Sequence, residues 1–394
     1  MHRLLDLPVG VRGAGLLLVV SVLLACAGGG RPAAPAAPAG SAAPAAPAAP
    51  AAGGAPAASS APAASSAPAA VQPLSPMVSV KIGAPMIIAD TGVYIAVERG
   101  YFREEGLDVE IVNIQGGDQL LVAMTTKDVQ FGSSALDAAM LNAIARGINV
   151  KILQDKSRFR AGNGTAALMA RQDLYDSGVL RELPQIRGKN ISVLRRNATP
   201  EYYLEIGFKR IGLTLDDVTW STMLPTDTPV AFANKAVDAG WVYEPLITAM
   251  EMQGLGRVLV DAGEIVPDEY PQFLYSPEAY IQESPEVVRR FVTAHLRGQR
   301  DYYRAFVLNE ADRGEIIQWL TKYTAVKDPA MYERMRYHAV EPNGYIDPRP
   351  IERFQDFCID KGLLPSRVDL AQLIDPQFVQ YALERLGRLP DPYR

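Results

Sequence analysis

Three short stretches combine residue types suited to holding a small molecule. Trp241-Val242-Tyr243-Glu244-Pro245 sets two large aromatics and a carboxylate at a strand-to-helix junction. Trp241 and Tyr243 could offer a stacking face to a planar ligand. Glu244 could receive N–H donors or positive charge. The plainer reading is that the aromatics fill the core and Glu244 caps the next helix. Gly132-Ser133-Ser134 ends a strand and opens a helix. Backbone N–H groups and the hydroxyls of Ser133 and Ser134 there suit an oxyanion or a carbonyl oxygen, or one serine caps the helix. Asn197 and Thr199 stand at the start of another helix, with Thr199 at the capping position and Pro200 first in the helix.

Covalent chemistry has little to work with. The histidines are His2, His295 and His338, and the cysteines Cys26 and Cys358. That excludes a disulfide framework and a multi-cysteine metal site, and no set for nucleophilic or metal catalysis emerges. No metal and no cofactor is expected. A formal charge of −5 argues against nucleic acid, whose binders show a basic stripe. For a small anion the candidate partners are Arg158, Arg160, Arg195 and Arg196, though paired arginines in loops are usually solvated. Trp241, Tyr243 and Glu244 favour a flat heterocycle, pyrimidine or flavin-like, over a sulfonate or nitrate.

Alternating strands and helices must position these residues. Val78–Ile82, Leu107–Ile114, Val129–Phe131, Val150–Leu153 and Ala166–Ala170 read as strands, separated by helices at Gly92–Tyr101, Gln119–Thr126 and Ala135–Ile144. That order predicts a parallel sheet with helices on both faces. The pattern restarts at Asn190–Leu194 and turns mostly helical after Phe273-Leu274-Tyr275. Ala123–Gly132 also echoes Ala231–Gly240, as two similar α/β lobes would. In open α/β sheets ligands sit beyond the carboxyl ends of the strands, so two facing ends would make a cleft.

Glu98-Arg99-Gly100-Tyr101-Phe102-Arg103-Glu104-Glu105-Gly106-Leu107-Asp108-Val109-Glu110 resembles a signature of the SsuA-like binding proteins of sulfonate, nitrate, taurine and thiamine-pyrimidine ABC importers. Arg187–Val193, Val237-Asp238-Ala239 with Glu244-Pro245, and Glu283–Phe291 are similar to later segments of that family, in order. The resemblance implies an α/β, two-lobed type II periplasmic binding protein fold, each lobe a mostly parallel sheet flanked by helices, closing about a hinge. It implies a small-molecule ligand, permease and ATPase partners, and a monomer. It also implies that the Met86–Thr91 loop lines the pocket, which makes Asp90 and Thr91 candidates, although Asp90 could equally cap the Gly92 helix. The expected lobes are 77–172 with 270–394, and 173–269. A sensor on the same fold, or an enzyme such as the wider family's pyrimidine synthase, is the alternative.

The amino-terminal end reads as an address. Arg3 and Arg12 precede an uncharged run, Gly13–Ala25, which is too short to span a bilayer but right for a secretory signal. Leu23-Leu24-Ala25-Cys26 resembles a bacterial lipobox, which would make Cys26 the lipidated first residue of the mature chain. Residues 27–76, rich in Ala, Pro and Ser, cannot hold a helix or build a core. They are expected to tether the domain to the outer face of the membrane.

Overall fold

The computed structural model describes residues 72–194 and 196–390. Cys26, its signal peptide, nearly all of the tether and Arg195 lie outside them. The chain divides at Ser65/Ser66, and the structure below belongs to the Ser66–Arg394 unit. The last tether residues are fastened to that unit, since Arg290 Nη1 donates to Gln72 O at 2.7 Å. No helix among the described residues is long and apolar enough to cross a membrane.

The described strands form two five-stranded sheets. The first contains β1 (Val78–Ala84), β2 (Leu107–Asn113), β3 (Phe131–Ser134), β4 (Val150–Ser157) and β10 (Gln272–Pro277) in the order β2-β1-β3-β10-β4. The second contains β5 (Ala166–Arg171), β6 (Asn190–Val193), β7 (Thr219–Thr222), β8 (Ala239–Tyr243) and β9 (Gly256–Asp261) in the order β7-β6-β8-β5-β9. The plans match strand for strand. β1 runs parallel to β2 and β3, as β6 does to β7 and β8. In fourth place β10 is antiparallel to β3 and β4, and β5 to β8 and β9. The two-lobed, mostly parallel α/β fold is therefore present.

Ala166–Ala170 does not extend the first sheet, as the alternation suggested, but sits in the second. The link from Ser157 to Ala166 carries no helix and is shorter than the ~10–12 residues of a parallel crossover. The chain therefore changes sheet ahead of the boundary expected after 172. The internal echo has a backbone counterpart, because Lys127 and Lys235, its matching lysines, both take positive φ, 64° and 57°.

The helix Pro285–Tyr302 turns Val288, Phe291 and Val292 inward at helical spacing. Phe291 stacks on Phe131 at 3.6 Å between ring centroids, and burying such a ring contributes about 1.5–3 kcal/mol. Gly298 lets this helix lie against Thr91–Glu98, because a Cβ there would stand 2.1 Å from Gly92 O. One apolar cluster runs through both lobes and includes Met140, Phe273, Phe159, Tyr203 and Trp241. The late helix Pro348–Asp360 bridges them. Its Phe354 and Phe357 lie 5.3 and 5.2 Å from Tyr202, and Leu363 just beyond it accepts from Asn142 Nδ2 at 2.6 Å.

Candidate functional site

At the carboxyl end of the first sheet the polar residues engage one another. Lys156, near the end of β4, pairs with Asp90 and donates to the Ser133 hydroxyl. Ser133 Oγ also lies 2.5 Å from Asp90 Oδ1 and 3.0 Å from Gln272 Oε1. All three of Asp90, Ser133 and Lys156 are buried. Asp90 precedes the helix Thr91–Glu98 but makes no side-chain cap to it. Its other oxygen accepts from Ile87 N at 3.1 Å. Thr91 is buried and donates to Ile88 O at 2.5 Å. Ser134 is half-buried.

Gly132, Ser133 and Ser134 all belong to β3 rather than to a helix start. The next helix begins at Ala138, capped by Asp137, whose Oδ1 accepts from Met140 N at 2.8 Å. An Asp accepts such a bond readily, so the cap falls later than expected.

Behind this group lies a second buried polar set. His295 Nδ1 stands 2.9 Å from Gln154 Oε1, and Gln154 Nε2 donates to Gln299 Oε1 at 2.6 Å. His338 stacks on Tyr302 at 4.5 Å. Burial, reinforced by the Lys156 charge, pushes both histidines down to about 3. Burial pushes the Asp155 carboxyl up to about 7, against the opposing pull of Arg158. Arg158 Nη2 is 3.5 Å from Asp155, donates to Tyr270 OH at 3.1 Å, and its guanidinium covers the Tyr270 ring at 5.0 Å.

The second lobe presents aromatics. Trp241 is 3% exposed, packed 5.9 Å from Tyr203 and 6.5 Å from Tyr243. Its indole N–H is buried without a hydrogen-bond partner. Tyr243 is partly exposed. Glu244 accepts from Thr248 N at 3.1 Å and Thr248 Oγ1 at 3.0 Å, capping the helix Leu246–Met252, and also from Arg336 N at 3.1 Å. Burial raises its carboxyl above the ordinary range, and those bonds oppose the shift.

Asn197 is exposed with φ 57°, and its N–H donates to Glu201 at 2.5 Å. Thr199 is the first residue of its helix, Ala198 occupies the capping position, and Pro200 is second, one place later than expected. Thr199, Tyr203 and Phe354 line a cavity of about 20 Å³ with Leu136, Tyr270 and Phe273 of the first lobe. That volume holds about one water.

Against this geometry, a family model described as NMT1/THI5 like matches residues 88–305, more than half of the chain. The chain belongs to the NMT1/THI5-like family. Among its relatives, YtlA of Bacillus subtilis, named only as a binding protein, is 21% identical over 73% of this chain and 84% of its own. The riboflavin-binding protein RibY of Chloroflexus aurantiacus is 27% identical over 73% of this chain and 81% of its own. The MOPS-bound alkanesulfonate-binding SsuA of Xanthomonas axonopodis superposes with TM-score 0.58 at 20% identity, covering 78% of this chain and all of SsuA. A desulfurization enzyme, DSZB, shares the fold at TM-score 0.56 and 15% identity, covering 78% and 99%.

For this NMT1/THI5-like chain, sequence reasoning overlooked Lys156, Tyr203, Arg336 and the Glu269–Arg353 pair at 2.7 Å. Lys156 did carry a signal. Gln154-Asp155-Lys156 continues an apolar strand with charged residues, and a buried charge needs a partner.

Proposed function

We propose that this chain is the extracytoplasmic solute-binding component of an ABC-type importer, and that its solute is a planar nitrogen heterocycle. The pairing of cations among the described residues carries the choice of solute. Lys156 faces Asp90, Arg158 Asp155, Arg160 Asp268, Arg196 Glu201, Arg336 Glu244 and Arg353 Glu269. At these described residues a sulfonate or nitrate would have to displace a carboxylate. An uncharged ring instead finds Tyr203, Tyr270 and Phe273 around the cavity and an unmet N–H on Trp241. Aromatic stacking plus one directed hydrogen bond is enough to orient a flat solute.

A ring is far larger than the present cavity, so the solute enters when Thr199–Tyr203 and Phe273 move apart. It favours whichever arrangement it contacts more. Closure on the solute would then present a shape for the permease to recognise, with a separate ATPase driving transport. The lipid anchor at Cys26, the tether and a monomeric state complete this reading.

The same reading takes the chain as a binder rather than a catalyst. His295 and His338 are held neutral by burial, and burial pushes the Cys358 thiol up to about 12. None of the three is poised to exchange protons near neutral pH. Native mass spectrometry of the purified chain, with an absorbance spectrum of whatever dissociates on denaturation, tests the proposal. A co-purifying aromatic supports it. A chain stabilised in a melting screen only by nitrate or sulfonates contradicts the choice of solute.

A further inference from the structure

The helix Pro348–Asp360 is fastened to the two lobes in two different ways. Asp347 caps it, accepting from Arg349 N at 3.0 Å, and Ile351, Phe354 and Cys358 are buried at helical spacing. Backbone hydrogen bonds tie both of its flanks to β4, the edge strand of the first sheet. Asp155 N donates to Gly344 O at 3.3 Å ahead of the helix, and Asp375 N donates to Ile152 O at 3.0 Å beyond it. Among the described residues, no backbone hydrogen bond joins 344–375 to residues 166–261 of the second lobe.

Side chains alone make the second attachment. Phe354 and Phe357 pack on Tyr202, and Lys361 Nζ lies 3.1 Å from Glu205 Oε2. Arg353 Nη2 donates at 2.7 Å to Glu269 Oε1, which also accepts from Tyr202 OH at 3.1 Å. The side chains of Lys361 and Arg353 are 31% and 49% exposed, and ion pairs so placed hold weakly. This loosely held helix nevertheless fills the space between the lobes. Its Pro350, Ile351 and Phe354 line the cavity of about 20 Å³ against Tyr202 and Tyr203.

We propose that the helix Pro348–Asp360 is a strap anchored on the first lobe, which lies in the solute's place against Tyr202 and has to release the second lobe before the solute enters. The contact is autoinhibitory. The inference rests on the solute-binding reading and adds its regulation. A site that is open for only a fraction of the time binds with its affinity reduced by that fraction. Loosening the strap should therefore tighten binding, through faster association.

The R353Q/K361Q variant removes both ion pairs and keeps the rings. Stopped-flow titration of the full chain with lumiflavin should show affinity roughly three- to ten-fold tighter than in the parent, with dissociation unchanged. R367Q breaks a pair with Asp356 of the same helix that does not reach the second lobe, and should bind as the parent does. A second readout needs no solute. Spin labels at V122C and V179C, exposed positions following β2 and β5, report the distance between lobes in a Cys26→Ser background. Burial pushes the Cys358 thiol up to about 12 and keeps it from the label. A population at longer distance should grow in R353Q/K361Q. Lumiflavin affinity that is unchanged or weaker in R353Q/K361Q overturns the strap and leaves the solute reading standing. Binding of lumiflavin to neither chain counts against the heterocycle, and the distances then decide. A longer population in the variant sustains the strap, and identical distributions overturn it.

Discussion

At the carboxyl end of the first sheet, Lys156, Asp90, Ser133 and Gln272 close on one another and leave little polar capacity for anything else. At the same end of the second sheet, Trp241 keeps an unmet N–H, Tyr203 lines the cavity, and Leu194 and Leu224 stand in solvent. The strand plan is the same in both. What differs is whether the polar groups at the strand ends find partners within their own lobe. A lobe whose charges are internally matched acts as a rigid floor. In the proposed reading, the aromatic groups of the second lobe set the choice of solute.

Breaking the floor should give the largest effect. Lys156→Met leaves Asp90 buried without its counter-charge and should cost about 3–5 kcal/mol in chemical denaturation, with part of the loss returned by adding Asp90→Asn. A loss below ~1 kcal/mol would mean that the pair does not hold the strand ends together.

The histidines behind the floor should make stability fall in acid. Their folded pKa values lie near 3, below the ordinary 6.5, so the unfolded chain binds more protons between those limits. Stability should drop as pH falls below 6.5, by about 1 kcal/mol per pH unit for each histidine. Asp155, raised to about 7, works in the opposite sense, adding stability as pH falls from 7 toward 4. Melting curves of His295→Gln and His338→Phe isolate the histidine contribution, since each variant should show a shallower loss than the parent between pH 6.5 and 4.5.

Smaller effects sharpen the contrast from the other lobe. Trp241→Phe keeps most of the ring packing but removes the N–H, and should weaken heterocycle binding by roughly two- to ten-fold, the worth of one hydrogen bond. An unchanged affinity would remove the indole from the site. Arg353→Gln breaks an ion pair whose arginine side chain is 49% exposed, so it should change stability by less than ~1 kcal/mol.

Much of this architecture was legible in the sequence. The alternation around Val78–Ile82 and Leu107–Ile114 marks strands that lie side by side as β1 and β2, and the echo of Ala123–Gly132 in Ala231–Gly240 reflects one plan used twice. The antiparallel fourth strands were not legible. Ala166–Ala170 is apolar throughout, as a fully buried strand is, and such a run carries no mark of direction or sheet. In the candidate site, residue type pointed to Ser133 and Trp241 and the family resemblance to Asp90, but their partners are remote in sequence. Lys156 lies sixty-six positions from Asp90, and Arg336 ninety-two from Glu244. Spacing along the chain carries no trace of such pairs.

The central claim is that an uncharged planar solute is held by the second lobe while the cations around the cleft stay paired. Isothermal titration of the purified chain with lumiflavin, a 4-aminopyrimidine, methanesulfonate and nitrate, each in turn, tests it most directly. We predict saturable one-to-one binding of at least one heterocycle and none of either anion. Binding of methanesulfonate or nitrate with both heterocycles silent would contradict it.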